Sequence, residues 1–209
     1  ELTLTAYAEN NCNDSVYDNI LITFGSSPAI PDTPQGDTTV CQGTLSSVYT
    51  TNNISGATMY QWQVIPEDKA YYTETTTLPT NTINWFANST GAYQVRVLAT
   101  NNCGDSYYSN FLHGIIHPKP SVHILASPDT IVCNNQTITL DATTPLASSY
   151  LWLPGNEETA IITVDSSDNN NGIIFKKAVF TDIYGCTNSD SINIYFTECT
   201  NITNHSDNR

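Results

Sequence analysis

Six cysteines, four histidines and a thin scatter of carboxylates are the residues here that could do chemistry. Cys12, Cys103 and Cys186 each sit in a matched passage: Ala8-Glu9-Asn10-Asn11-Cys12-Asn13-Asp14-Ser15, Ala99-Thr100-Asn101-Asn102-Cys103-Gly104-Asp105-Ser106, and a looser Asp182-Ile183-Tyr184-Gly185-Cys186-Thr187-Asn188-Ser189. Cys41 and Cys133 share a second passage, Thr39-Val40-Cys41-Gln42-Gly43 and Ile131-Val132-Cys133-Asn134-Asn135. Tyr60-Gln61-Trp62 and Tyr150-Leu151-Trp152 follow, each Trp 21 and 19 residues after its cysteine. Cysteines repeated at matched positions in so small a chain point to structural disulfides in an oxidising compartment.

Other chemistries fit less well. His113, His117 and His123 fall close together, but no Cys, Asp or Glu stands at a ligand-like spacing from them, and Pro118 and Pro120 scatter their directions. They read as surface linker histidines, and His205 as part of a polar tail. No Gly-x-Ser-x-Gly elbow occurs, so a nucleophilic triad has no anchor. Glu157 and Glu158 are adjacent, and adjacent strand residues face opposite ways, so they cannot flank one bond. Asp165, Asp168 and the Asn-rich run to Gly172 could offer oxygen ligands to calcium, yet Ser167 breaks the EF-hand spacing and a solvated turn is the plainer reading. The expectation is no enzyme, no catalytic residue and no cofactor, with structural calcium as the one weak alternative.

The balance of 20 Asp and Glu against 6 Lys and Arg, a net charge of −14, repels phosphate backbones and anionic lipid and argues against nucleic-acid partners. Charged residues make up only 12%, so 30 Thr and 23 Asn carry much of the solubility. No run approaches 18 apolar residues, which argues against membrane insertion by a helix. Glu1 begins directly in a strand pattern, so the sequence reads as a processed product or an excerpt.

Alternation places these residues on strands. Leu2–Ala8 and Asn19–Phe24 read as a hairpin, matched by 92–98 with 110–116 and by 173–180 with 191–196. Each pair closes a domain-sized copy, and the closing cysteines lie 91 and 83 residues apart. Proline-bearing seams at Ser27–Pro34 and His117–Pro120 favour extended, semi-rigid joints. No amphipathic helix is found. The fold class predicted is all-β, tandem immunoglobulin-like sandwiches: a closing hairpin over residues 1–27, domains over 28–118 and 119–198, and a polar tail over 199–209. The order Cys, Trp, Cys in each copy is the immunoglobulin arrangement of a Trp beside an inter-strand disulfide, which pairs Cys41 with Cys103 and Cys133 with Cys186. Six independent thiols are the alternative, against which the matched positions weigh. Cys12 and Cys199 are left unpaired or intermolecular.

Val40-Cys41-Gln42-Gly43, Tyr60-Gln61-Trp62, Asn101-Asn102-Cys103-Gly104 and Tyr150-Leu151-Trp152-Leu153-Pro154-Gly155 resemble the PKD-like, Ig-fold repeats of large secreted Bacteroidetes proteins. Tyr195-Phe196-Thr197-Glu198-Cys199-Thr200 is similar to the segment that precedes a type IX secretion sorting domain. The resemblance implies export to the cell surface and a non-enzymatic role: an adhesin or extracellular filament segment that spaces, displays or self-associates. The alternative is an accessory, carbohydrate-binding-like module of an exported polysaccharide-degrading enzyme, for which Tyr71, Tyr72, Trp85 and Phe86 could supply a stacking platform. Partners would be neighbouring Ig-like domains, further copies of the chain, or surface glycans. A hairpin at residues 1–24 cannot bury its apolar face alone, so the missing strands belong either to a longer chain or to another subunit. Asp-Ser/Thr followed by a small aliphatic residue or Thr, similar to a Bacteroidetes O-glycosylation pattern, marks Ser15, Thr38, Thr130 and Ser191. Six Asn-x-Ser/Thr sequons are read as compositional in a bacterial chain.

Overall fold

Alternation along the strands decides what is buried. In Met59–Ile65 the residues Tyr60, Trp62 and Val64 are buried while Gln61 and Gln63 stay partly open, as a period of two requires. The computed structural model describes residues 2–9, 15–22, 25–168 and 173–199, with side chains from residue 25 onward except at 168. Strands β1 (Leu2–Glu9) and β2 (Ser15–Ile22) form an antiparallel hairpin in which Leu2 faces Ile22 and Glu9 faces Ser15, as their alternation predicts.

Two compact units follow. One holds the described residues up to Thr38 with Leu45–Phe86 and Tyr93–Gly114; the other holds Thr39–Thr44, Ala87–Ala92 and the described residues from Ile115 onward. The strands after the hairpin are β3 (Thr39–Cys41), β4 (Ser46–Thr50), β5 (Met59–Ile65), β6 (Ala70–Tyr72), β7 (Thr75–Thr76), β8 (Thr80–Trp85), β9 (Gly91–Asn101), β10 (Gly104–Asp105) and β11 (Leu112–His117). In the first unit β11–β9–β5–β7, with β10 on β9, form one sheet and β4–β8–β6 the other. Trp62, Val64, Val95 and Val97 from the former and Tyr49, Ile83 and Trp85 from the latter are buried together. Tyr49, Trp85 and Tyr93 form an aromatic cluster across the core, with the Trp85 and Tyr93 ring centroids 4.6 Å apart.

The second unit continues with β12 (Leu125–Ser127), β13 (Ile131–Cys133), β14 (Thr137–Asp141), β15 (Ala147–Leu153), β16 (Ile161–Asp165), β17 (Ile173–Asp182) and β18 (Thr187–Thr197). Sheets β13–β18–β17–β15 and β12–β14–β16 enclose Trp152, Ile138, Leu140, Ala178 and Ile194. The fold is therefore the all-β, tandem Ig-like sandwich that the alternation predicted. The opening strands run parallel to the last strand of their own copy: Cys41 lies opposite His117, and Cys133 opposite Thr197.

That pairing overturns both expected disulfides. Cys133 sits beside the last residue of β18, whereas Cys186 precedes its first. At about 3.3 Å per residue the two are on the order of 35 Å apart, against the ~6 Å between Cα atoms that a disulfide spans. Cys41, opposite the end of β11, is separated from Cys103, in the turn after β9, in the same way. The bonds present are Cys41–Cys186 and Cys133–Cys199, each with Cα atoms 5.4 Å apart. Cys199 is thus paired within the chain, Cys103 is a free, exposed thiol, and Cys12 lies outside the described residues.

Alternation supplies the reason. Val40 and Val132 are buried, so Cys41 and Cys133 one residue on point away from the core and cannot bracket Trp62 or Trp152. The core Trp side chains are satisfied otherwise: the Trp62 indole N–H donates to Thr76 Oγ1 at 3.0 Å and that of Trp152 to the Thr159 carbonyl at 2.8 Å.

Candidate functional site: a stapled joint and an exposed aromatic pair

The Cys41–Cys186 bond joins the opening strand of one sequence copy to the closing turn of the next, and both residues belong to the second compact unit. Each side is built by local hydrogen bonding. Asp182 Oδ1 accepts from the amides of Tyr184 and Cys186, both at 2.9 Å, and the Asp182 amide donates to the Cys186 carbonyl at 2.9 Å. One buried carboxylate thereby shapes the whole turn. On the other side the Gln42 amide donates to the His117 carbonyl at 2.8 Å, and Gln42 Oε1 accepts from the Lys119 amide at 3.0 Å. The rings of His117 and Tyr184 stack over the joint with centroids 3.9 Å apart and planes 14° from parallel. Beside them a cleft of about 300 Å³ is lined by His117, Pro118, Pro120, Pro145, Leu146 and Tyr184, among others. The arrangement fixes backbone to backbone.

The histidines do not converge. His117 is taken up by the stack, His113 Nδ1 lies 3.2 Å from Gln94 Nε2, and His123 Nδ1 is 3.7 Å from Asp190 Oδ2. Asp165 is occupied locally: its carboxylate accepts from the Ser167 amide at 2.8 Å and from the Ser167 hydroxyl, which holds its pKa below the usual carboxylate value. Residues 169–172 of the calcium reading lie outside the described residues, and among the described residues no three metal-ligating side chains cluster.

The four aromatics of the platform reading separate by alternation. Trp85 is buried at 5% exposure, and its indole N–H donates to Ser47 Oγ at 3.1 Å. The Tyr72 hydroxyl accepts from the Val64 amide at 3.2 Å. Tyr71 and Phe86 are 62% and 44% exposed and lie side by side, with centroids 5.9 Å apart and planes at 36°. Two rings therefore remain available on the surface, and they are not the Trp.

Of the marked hydroxyls, Thr38 is exposed just before β3 and Thr130 is half-buried just before β13. Ser15 opens β2. Ser191 is exposed but lies inside β18, opposite Lys177, and not at the turn or strand start expected of it.

Residues 27–112 match the PKD-like domain family. No curated protein matches the chain. Among solved structures, the chain is similar to fibronectin(III)-like modules of CbhA from Clostridium thermocellum, at 13% identity over 79% of this chain and 95% of that one with a TM-score of 0.39. It is also similar to the FN1–FN3 domains of chicken CNTN1, at 14% identity over 94% and 78% with a TM-score of 0.41. A third similarity is to the Yersinia pseudotuberculosis adhesin InvE, at 13% identity over 82% and 58% with a TM-score of 0.30. Among the described residues no helix is long and apolar enough to cross a membrane.

Proposed function

We propose that this chain is a non-enzymatic repeat segment of a secreted surface protein, one that holds other parts of that protein at a distance rather than acting through a pocket. The observation that carries the reading is the Cys41–Cys186 staple, which ties the opening strand of one copy to the closing turn of the next. Both residues lie in the second compact unit, so the bond stiffens that unit by fixing the opening strand of one copy to the closing turn of the next. Two disulfides suit an oxidising, extracellular setting, and the PKD-like match over 27–112 fits a modular array. Export by a type IX system and assembly into filaments are the finer forms of this reading. The test is replacement in the native protein of residues 27–198 by a Gly/Ser linker of equal length. Surface display or adhesion should fall, and should return when an unrelated pair of rigid Ig-like domains is inserted. Full activity with the flexible linker would overturn the spacing role.

The exposed Tyr71–Phe86 pair favours a second reading, an accessory module that stacks on sugar rings. Polysaccharide pull-down and glycan arrays distinguish it. Retention by a glycan, lost in Tyr71→Ala and Phe86→Ala at unchanged thermal stability, would displace the first reading. O-glycans at Ser15, Thr38, Thr130 and Ser191 belong to either. An intact mass at the bare 22.9 kDa for this region of the native protein would remove them.

A further inference from the structure

We infer that Cys103 is the receiving half of another staple of the same kind, its partner being the opening cysteine of the copy that β1 and β2 close. The connectivity rule is read from the bonds present. An opening-strand cysteine, Cys41, reaches the closing-turn cysteine of the following copy, Cys186. Cys103 is the closing-turn cysteine that matches Cys186, and it is unbonded and exposed.

Its surroundings match as well. At the bonded joint the chain leaving the first copy, His117 to Lys119, flanks Cys41 through the Gln42 hydrogen bonds. At Cys103 the chain leaving the hairpin takes that place: a Cβ built on Gly25 would collide with the Cys103 sulfur, and Asn101 Nδ2 donates to the Ser26 carbonyl at 2.9 Å. At the bonded joint Asn188 Nδ2 likewise donates to the Pro120 carbonyl at 2.7 Å. The thiol therefore lies against the segment beside which an opening strand would run.

The partner is not among these 209 residues. Cys41 and Cys133 are the only opening-strand cysteines, and both are bonded, which also removes a second copy of these residues as the donor. The donor is a like opening strand, of the Val-Cys type, in polypeptide outside this sequence. Joining two thiols forms one S–S bond and releases two protons and two electrons, which pass to a disulfide oxidant such as a thiol–disulfide oxidoreductase of the secretory compartment. Cys133 departs from this connectivity through Cys199, which bonds it within the same copy.

The inference concerns connectivity and holds whether the array spaces an adhesin or accompanies an enzyme. The experiment is non-reducing peptide mapping, after acid alkylation, of the full-length protein secreted by its native cell. The expected result is the Cys103 peptide linked to a Val-Cys-type strand from outside residues 1–209. Recovery of Cys103 alkylated, linked to Cys12, or linked to another Cys103 would overturn it. Cys103→Ser in that protein should expose one new thiol per chain, at the donor cysteine. It should also speed proteolytic cleavage within 25–34 several-fold and leave 117–121 unchanged; an unaltered thiol count or equal cleavage at both segments would contradict the inference.

Discussion

The densest polar chemistry in the first unit is a pair of phenols. Tyr49 and Tyr93 place their hydroxyls 3.0 Å apart in the core, and both donate toward the Asp37 carbonyl. Burial pushes the Tyr49 phenol far above its ordinary value, reinforced by Tyr93, and burial raises Tyr93 too. The sign follows. Below about pH 10 both phenols are protonated in either state and their contribution is fully present; above it the unfolded chain loses protons that the folded chain keeps, so stability falls. Melting followed by tryptophan fluorescence should show the first unit weakening progressively as the pH rises above about 10, and Tyr49→Phe should flatten that slope at a cost of about 1 kcal/mol near neutrality. Close to the same pair, Gly114 leaves no room for a Cβ, which would strike the Tyr93 ring and hydroxyl. Gly114→Ala should destabilise by about 1–3 kcal/mol, measured by denaturant unfolding.

Among the elements, the short opening strands matter beyond their three residues. β3 is held by parallel pairing with Ile115–His117 and by its disulfide. Closing a loop over the 145-residue separation gives about 5 kcal/mol on the chain-entropy treatment, an upper figure. Cys186→Ser should therefore lower the melting temperature of the second unit by several degrees and admit protease at Thr39–Thr44, while leaving Cys133–Cys199 intact on peptide maps. Period-two alternation made the strands and the core Trp62 and Trp152 readable in advance, whereas the structure alone shows that Tyr71 and Phe86, not Tyr72 and Trp85, are the exposed rings. It also held the signal against the expected disulfides, since a buried Val40 must turn Cys41 outward. What a linear reading could not supply was the partner of Cys41, because the bond is made outside its own sequence copy and no spacing within one copy marks it. The His117–Tyr184 stack was hidden for the same reason.

Taken as a whole, the molecule has few charges, strongly unbalanced, and two of its 6 Lys and Arg are engaged by neighbouring groups of their own unit. Lys176 is buried, reaching the Pro154 carbonyl at 3.0 Å and Glu157 at 3.3 Å. Arg96 lies over the rings of Tyr108 and Phe111. With 20 Asp and Glu against 6 Lys and Arg, the net charge is −14. The Cys41–Cys186 disulfide also decides how the chain answers a mechanical pull. With the staple in place, tension applied between residues 25 and 199 runs through 25–41, crosses from Cys41 to Cys186, and leaves through 186–199. At about 3.5 Å per residue that path can lengthen to roughly 100 Å, whereas the reduced chain could pay out to roughly 600 Å. Optical-tweezer traces before and after reductant should differ by that factor. Residues 42–185 would then bear no load even when unfolded, so a cell tethered through such a segment would meet a short, stiff leash in oxidising surroundings and a long, yielding one once the sulfurs are reduced.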